Sequence, residues 1–332
     1  MKFLIAGLGS IGRRHFRNLR ALGEQDILLY RTHRATLPDD ELSGVPVETD
    51  LQRALAHKPD AVIVANPSSL HLDVAVPAAE AGCHLLIEKP VSHSLAGVDR
   101  LQAALQRGGG NAQIGFHFRF HPGLLKVRAL LAEGAIGTPA SARANWGEFL
   151  PGWHPWEDYR ASYAARPELG GGVVLTLCHP LDYLHWLLGD VQALWALISR
   201  QGLGLEVEDT AEIGLRFANG ALGSVHLDYL RRPARHDLEI VGTQGTLTWD
   251  NADGAARLAQ VEADGKPGDW QVFPVPQGFE RNTLFLDEMR NFLDVVRGGA
   301  RPVCPLEDGV YALELALAAL RAGREAKMQE VR

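Results

Sequence analysis

The sequence predicts an α/β domain on a parallel sheet over residues 1–119, followed by an α+β domain with a large, mainly antiparallel sheet over 120–332. Three observations predict it. A short apolar run meets three glycines and then a helical pattern within the first two dozen residues. Buried-type strands then alternate with helical segments as far as residue 116. Beyond residue 190, longer runs alternate in polarity and are separated by turn residues. A chain of 332 residues is also long for a single domain.

The first element is Phe3-Leu4-Ile5-Ala6, too short for a helix and bounded at once by glycine, as a strand covered on both faces should be. Gly7, Gly9 and Gly12 follow at G-x-G-x-x-G spacing, and Ile11, His15, Leu19 and Leu22 carry a helical period over 11–22. Strand, glycine turn and helix in that order form a dinucleotide fingerprint. Gly7 permits the tight turn, Gly9 lets backbone approach a pyrophosphate, and Gly12 lets the helix pack closely. Ser10 and Ile11 stand at the helix N-terminus, where N–H groups and the positive dipole end meet phosphate. A Rossmann domain is the expectation.

The second strand, 26–30, ends in Tyr30-Arg31-Thr32-His33-Arg34. A binder of NAD usually places Asp or Glu there for the ribose hydroxyls. Here the nearby acid in sequence, Asp26, lies at the opposite end of the strand. Arg31, Thr32 and Arg34 suit a 2′-phosphate instead, so NADP(H) is the preferred cofactor and NAD(H) the alternative.

A weak strand at 45–48 precedes a short helix through 55 with Asp50 as its N-cap. A buried strand at 60–65 ends at Asn66-Pro67, a helix over 69–81 stops at Gly82, and 83–87 is the next strand. Parallel sheets of this rhythm bind ligands beyond the carboxyl ends of their strands. Three segments meet there: the glycine turn, Asn66 to His71, and Glu88-Lys89-Pro90. A proline after Lys89 fixes the turn and is compatible with a cis bond that would aim the lysine into the crevice. A helix from Ser94 to 107 and a strand at 112–116 complete the domain.

In the second half, 124–132 reads as a helix and 138–149 as a strand. Asn219-Gly220 between the alternating runs 211–217 and 221–229 is a hairpin signal. Strands at 236–241 and 245–249 follow, and helices at 285–297 and 307–322 close the chain. The segment from Leu150 to Arg160 is rich in aromatic, prolyl and polar residues, hence a loop. Its Trp153, Tyr159 and Arg160 suit a sugar ring, which stacks its C–H face and hydrogen-bonds its hydroxyls. After Gly170-Gly171-Gly172, residues His179, Asp182, Tyr183 and Trp186 fall on one helix face.

A net charge of −7, 46% hydrophobic and 22% charged residues describe an ordinary soluble protein with no nucleic-acid or membrane footprint. No apolar run reaches the ~20 residues of a membrane span. The three cysteines, Cys83, Cys178 and Cys304, form no close pair, so reduced thiols in a cytoplasmic protein are expected and no metal site.

Gly7-Leu8-Gly9-Ser10-Ile11-Gly12, Glu88-Lys89-Pro90 and Gly115-Phe116-His117-Phe118-Arg119-Phe120-His121-Pro122 together resemble the Gfo/Idh/MocA family of oxidoreductases. The resemblance continues to Leu306-Glu307-Asp308-Gly309 near the end of the chain. It implies that Lys89 lies beside nicotinamide and substrate, that its bond to Pro90 is cis, and that a homodimer or homotetramer forms through paired sheets. It also implies that His179, in a His-x-x-Asp pattern, is the proton acceptor. The sequence departs from the family where an aspartate should precede that histidine: Thr176 or Leu175 stands there.

The expected site therefore comprises Lys89 and His179 as catalytic residues. The cofactor would be held by Gly7, Gly9, Ser10, Ile11, Gly12, Arg31, Thr32, Arg34, Asn66, Pro67, His71, Glu88 and Lys89, and the substrate by Arg119, Trp153, Tyr159, Arg160 and Asp182. The expected activity is hydride transfer to or from a sugar, nucleotide sugar or polyol. A cofactor-retaining epimerase or lyase and a non-catalytic NADP(H)-binding regulator are the alternatives.

Overall fold

The structure is a computed structural model that describes residues 1–331, apart from 33–36, 38–39, 263–264 and 267. The chain divides into two units. The first comprises Met1–His117, Glu168–Gly170 and Arg281–Leu313, and the second Phe118–Pro167, Gly171–Glu280 and Glu314–Arg332. The expected division at residue 119 thus differs in three ways. The first stretch of the first unit stops at His117, and the unit also takes in residues 168–170 and residues 281–313 from further down the chain.

In the first unit, β1 (Lys2–Ala6), β2 (Asp26–Tyr30), β3 (Val47–Glu48), β4 (Ala61–Val64), β5 (His84–Ile87) and β6 (Ala112–Ile114) form one sheet. Its order is β3-β2-β1-β4-β5-β6 and every pairing is parallel. The switch of direction lies between β1 and β4, so their carboxyl ends, Ala6 and Val64, open the crevice where α/β sheets take ligands. Helices α1 (Ser10–Ala21), α2 (Leu51–Ala56), α3 (His71–Glu80) and α4 (Val98–Gly108) are the crossovers. Asp50 caps α2 as expected, its carboxylate accepting from Arg53 N at 2.8 Å.

Two helix starts move from expectation. Ser68–Leu70 forms a separate 3-10 turn before α3. The next helix begins at Val98 and not at Ser94, because Gly97 enters it with φ +85°, a left-handed geometry that ends any preceding helical path. The core beneath β1 and β2 is Phe3, Ile5, Phe16, Leu19, Ile27 and Leu29, with Met289, Phe292 and Leu293 from the helix Arg281–Val296.

In the second unit, α5 (Pro122–Ala132), α6 (Val173–Thr176) and α7 (His179–Leu188) accompany a sheet of nine strands. These are β7 (Pro139–Gly147), β8 (Val191–Ser199), β9 (Thr210–Phe217), β10 (Leu222–Asp228), β11 (Arg235–Gly242), β12 (Gly245–Asp250), β13 (Ala256–Gln260), β14 (Gln271–Phe273) and β15 (Gln329–Glu330). The order is β14-β13-β12-β11-β7-β10-β9-β8-β15, antiparallel except for β7 beside β10. Asn219-Gly220 makes the expected hairpin between β9 and β10, with Gly220 at φ +88°. Helices α5 and α7 lie against this sheet, α7 on β7 and α5 on β12 and β13. The chain ends with α8 (Arg281–Val296), already met in the first unit, and α9 (Leu306–Glu325), which passes from one unit into the other.

Candidate active site

The glycine turn has the geometry its spacing predicts. Gly7 sits at φ +94°, and a Cβ there would lie 2.5 Å from Asn66 N. At Gly12 a Cβ would lie 2.0 Å from Gly7 O, so the helix approaches the turn as only glycine allows. Gly9 is different: it is exposed, and a Cβ would meet nothing within 4 Å. Its slot is open on the side where a pyrophosphate would approach. No side chain caps α1 and its first turn holds no acid, so the N–H groups at Ser10 and Ile11 face outward with the positive end of a 12-residue helix. The residues fit a dinucleotide. The cradle is braced from below by Arg13, a buried residue that the sequence reading passed over. Its Nε donates to Leu8 O (3.0 Å), its Nη2 to Leu37 O (3.1 Å) and its Nη1 to Glu41 (3.2 Å).

At the tip of β2, Arg31 is buried and its main-chain N–H donates to Glu48 O. Thr32 is exposed, and Arg34 lies outside the described residues. Register places Glu48 opposite Tyr30, and its Oε1 is 3.1 Å from Nε2 of His57.

At the edge beyond β4 and β5, Asn66 and Pro67 are half-buried and the Lys89–Pro90 bond is cis, as the resemblance implies. Lys89 is half-buried there. Two of its expected companions are turned inward and are reassigned. His71 is 1% exposed, with Nδ1 2.9 Å from Pro90 O and Nε2 2.9 Å from Asn66 O, so its ring ties two loops together and presents no edge to a cofactor. Burial lowers its pKa, against the carbonyls and Glu88, which favour the charged ring. Glu88 is 7% exposed; its Oε1 lies 2.7 Å from Nε2 of the wholly buried His15, and its Oε2 accepts from Lys89 N at 3.3 Å. Burial pushes the Glu88 carboxyl up, but the His15 hydrogen bond and the charges of His15, Lys89 and His71 outweigh it and leave the pKa lowered. Both residues hold the lysine's loop.

In the second unit, α7 begins at His179. Pro180 therefore occupies its first turn, where a missing N–H breaks no helical hydrogen bond. The His179 ring is wholly buried, edge-on to Phe118 (centroids 5.0 Å) and tilted against Trp146 (5.3 Å). Trp146 in turn stacks on His236 at 4.3 Å, and Tyr183 Oη is 3.4 Å from His236 Nε2. Thr176, which stands at the place of the family's aspartate, is 2% exposed.

Arg119 and Asp182 were expected to hold substrate and instead hold each other. Both side chains are 1% exposed, and the pair is bidentate, with Nη2 2.7 Å from Oδ1 and Nε 3.1 Å from Oδ2. A carboxylate and guanidinium paired this way inside the fold anchor α7 to the segment after β6. The aromatic loop remains the accessible part. Trp153 is half-buried and edge-on to Tyr229 at 5.8 Å, Arg160 lies over the Tyr159 ring at 4.5 Å, and Trp156 is 61% exposed.

Two further polar residues are buried beside the Lys89 turn, His15, which in the sequence counted only toward the helical period of 11–22, and Glu288. Their signal was present: His15 falls on the apolar period of α1, and Glu288 on the buried stripe of α8 with Leu284, Phe285 and Phe292.

Residues 1–116 match the family described as an oxidoreductase family with an NAD-binding Rossmann fold. Residues 124–248 match the GFO/IDH/MocA C-terminal domain. The chain is 30% identical over 279 residues to the 1,5-anhydro-D-fructose reductase of Ensifer adhaerens, covering 82% of this chain and 80% of the relative. It is 27% identical to the myo-inositol 2-dehydrogenase of Thermotoga maritima, over 100% of this chain and 99% of that one. Among solved structures, a levoglucosan dehydrogenase in complex with NADH superposes with a TM-score of 0.86 at 20% identity, covering 100% of this chain and 99% of the other. The WlbA dehydrogenase from Bordetella pertussis in complex with NADH and UDP-GlcNAcA gives 0.82 at 23%, with the same coverage.

Proposed function

Because the chain belongs to the Gfo/Idh/MocA family of oxidoreductases, with an NAD-binding Rossmann domain, we propose that it moves a hydride between a nicotinamide, NADP(H) in preference to NAD(H), and a carbon of a sugar, nucleotide sugar or polyol. The observation that carries this is Lys89. It is the half-open cation of the turn beyond β5, and the buried Glu88 and His71 hold that turn. When bound, the nicotinamide supplies or accepts the hydride. Gly9, Ser10 and Ile11 bind the pyrophosphate through main-chain N–H groups. The Lys89 ammonium holds the substrate oxygen and stabilises the charge that grows on it as its proton leaves. His179 is the imidazole available to take that proton. Phe118 and Trp146 cover its ring, so substrate has to uncover an edge before it acts.

The phosphate preference is supported by the absence of an acid on Tyr30-Arg31-Thr32 and by the engagement of Glu48 with His57. The substrate class is supported by the relatives, which are named for inositol and anhydro-sugars, and by the exposed aromatic loop around Trp153, Tyr159 and Arg160. Self-association is supported by Trp195 and Leu197, 44% and 65% exposed side by side on the outward face of β8.

The test is a titration with NADPH and NADH, followed by turnover on a panel of polyols and nucleotide sugars by the wild type, Lys89→Met and His179→Asn. The expected result is tighter NADPH binding in all three, with turnover lost in Lys89→Met and strongly reduced in His179→Asn. Tighter NADH binding overturns the phosphate preference, and full turnover by Lys89→Met removes the lysine from the chemistry.

A further inference from the structure

Beneath the Lys89 turn lies a closed group of three ionisable side chains from three separate elements. His15 comes from α1, Glu88 from the turn after β5 and Glu288 from α8; each offers one donor atom, and the three atoms lie within 4.8 Å of one another. His15 and Glu288 are 0% exposed and Glu88 is 7% exposed. The bonds of Glu88 are accounted for on two sides, by the His15 ring and by the Lys89 main-chain N–H. Neither carboxyl oxygen of Glu288 has a hydrogen-bond partner among the described residues, although its main-chain carbonyl accepts from Gln113 Nε2 at 3.0 Å.

We propose that Glu288 is a positioning residue for Lys89 that acts through Glu88. This rests on the role of Lys89 set out above. Two carboxylates this close, in a place without solvent, cannot both stay ionised, so one of them carries a proton. The groups that face Glu88 decide which. His15 from α1, the charge of Lys89 on its own turn and His71 from α3 all favour its charged form, whereas Glu288 has beside it the Glu88 charge and a His15 ring whose Nε2 is already bonded to Glu88. Burial and the neighbouring Glu88 charge push the Glu288 carboxyl well above the usual carboxylate range. Glu288 is thus the acid and Glu88 the carboxylate. As a neutral acid Glu288 sets a carboxyl with an O–H, and no second negative charge, within 4.8 Å of the Glu88 oxygen. Glu88 can then keep accepting from the His15 ring and from the main chain of Lys89. On the far side of the turn, His71 grips the carbonyls of Pro90 and Val91. The lysine's backbone is pinned from both sides, and the Glu288 proton is what allows the inner pin to stay charged.

Three measurements on the NADPH-loaded protein test this, with Glu288→Leu, which can neither donate nor titrate, and Glu288→Gln, whose amide can still donate. The infrared spectrum of the wild type at neutral pH should show the carbonyl stretch of a buried protonated carboxyl, absent from Glu288→Gln. Amide exchange at Lys89 should speed up in Glu288→Leu and return toward wild type in Glu288→Gln. The hydride-transfer rate should fall roughly ten- to a hundredfold in Glu288→Leu, as a small misplacement of a catalytic group does, with rescue by Glu288→Gln and NADPH affinity retained in both. Absence of the infrared band, unchanged amide exchange in Glu288→Leu, or equal losses in the two variants overturns the proposal. So does a stoichiometric metal ion in the purified protein, since a cation would then occupy the place of the proton. The infrared and exchange readouts need no turnover. A protein that oxidises no polyol therefore refutes the proposed function and leaves this inference to be decided by its own data.

Discussion

Substituting alanine at Gly9 and at Gly12 should separate cofactor binding from folding. At Gly12 an added Cβ would lie 2.0 Å from Gly7 O and 3.0 Å from Gly7 C, main-chain atoms that cannot yield without moving the turn. At Gly9 the same methyl meets nothing within 4 Å, and the backbone, at φ −72° and ψ −169°, suits any L-residue. The intrinsic terms for Gly9→Ala nearly cancel. Alanine is a poorer N-cap than glycine by roughly 0.5–1 kcal/mol, and it reduces the entropy of the unfolded chain by about 0.4–1 kcal/mol. The methyl instead fills the space through which a pyrophosphate reaches the helix N–H groups. Loss of one charge-assisted hydrogen bond, about 1.5–3 kcal/mol, weakens binding roughly ten- to 150-fold. Thermal unfolding and NADPH titration of both variants are the assays. Gly9→Ala should unfold as the wild type does and bind weakly, whereas Gly12→Ala should lose stability even without cofactor. Wild-type affinity in Gly9→Ala, or equal destabilisation of the two, would refute the assignment of Gly9 as the phosphate slot.

Asp182→Asn should cost about 3–5 kcal/mol in urea unfolding, because it leaves the Arg119 guanidinium, 1% exposed, without its counter-charge; a loss below about 1 kcal/mol would mean the pair is solvated in solution. His121, whose Nδ1 accepts from Gly123 N, is lowered by burial to a pKa of about 4. The unfolded chain then binds the extra proton first, so stability should fall as pH drops from about 6.5 to about 4, by up to about 1.4 kcal/mol per unit. His121→Asn should flatten that slope in melting curves recorded across the range, and an unchanged slope would place the titration elsewhere.

The first unit was largely legible because its signals are local. Phe3 to Ala6 could be nothing but a covered strand, and Gly7, Gly9 and Gly12 each impose a backbone or packing demand that the structure meets. Helix starts read less well: Gly97, in a left-handed conformation, moved one of them by four residues from the expected Ser94, a matter of one dihedral angle that composition does not reveal. The site was legible in its residue types and not in its orientations. Arg119 and Asp182 were singled out as polar groups near the expected site, and such groups look the same in sequence whether they face a ligand or each other. Their pairing joins positions 63 apart in the chain, so only the tertiary fold decides it.

The same distinction explains why the polar residues around Lys89 are so many. The role proposed for Lys89 needs a fixed backbone, and a turn beyond a strand end has no ladder of its own to fix it. Here the fixing is done by side chains that run inward. His71 binds the carbonyls on one side of Lys89, Glu88 binds its N–H on the other, and His15 ties Glu88 to the helix that starts at the phosphate cradle. His15 and Glu88 thus link α1 to the backbone of Lys89 by an unbroken pair of hydrogen bonds. Glu88, although it stands beside Lys89 in the sequence, belongs to the buried scaffold that relates the glycine turn to the Lys89 turn.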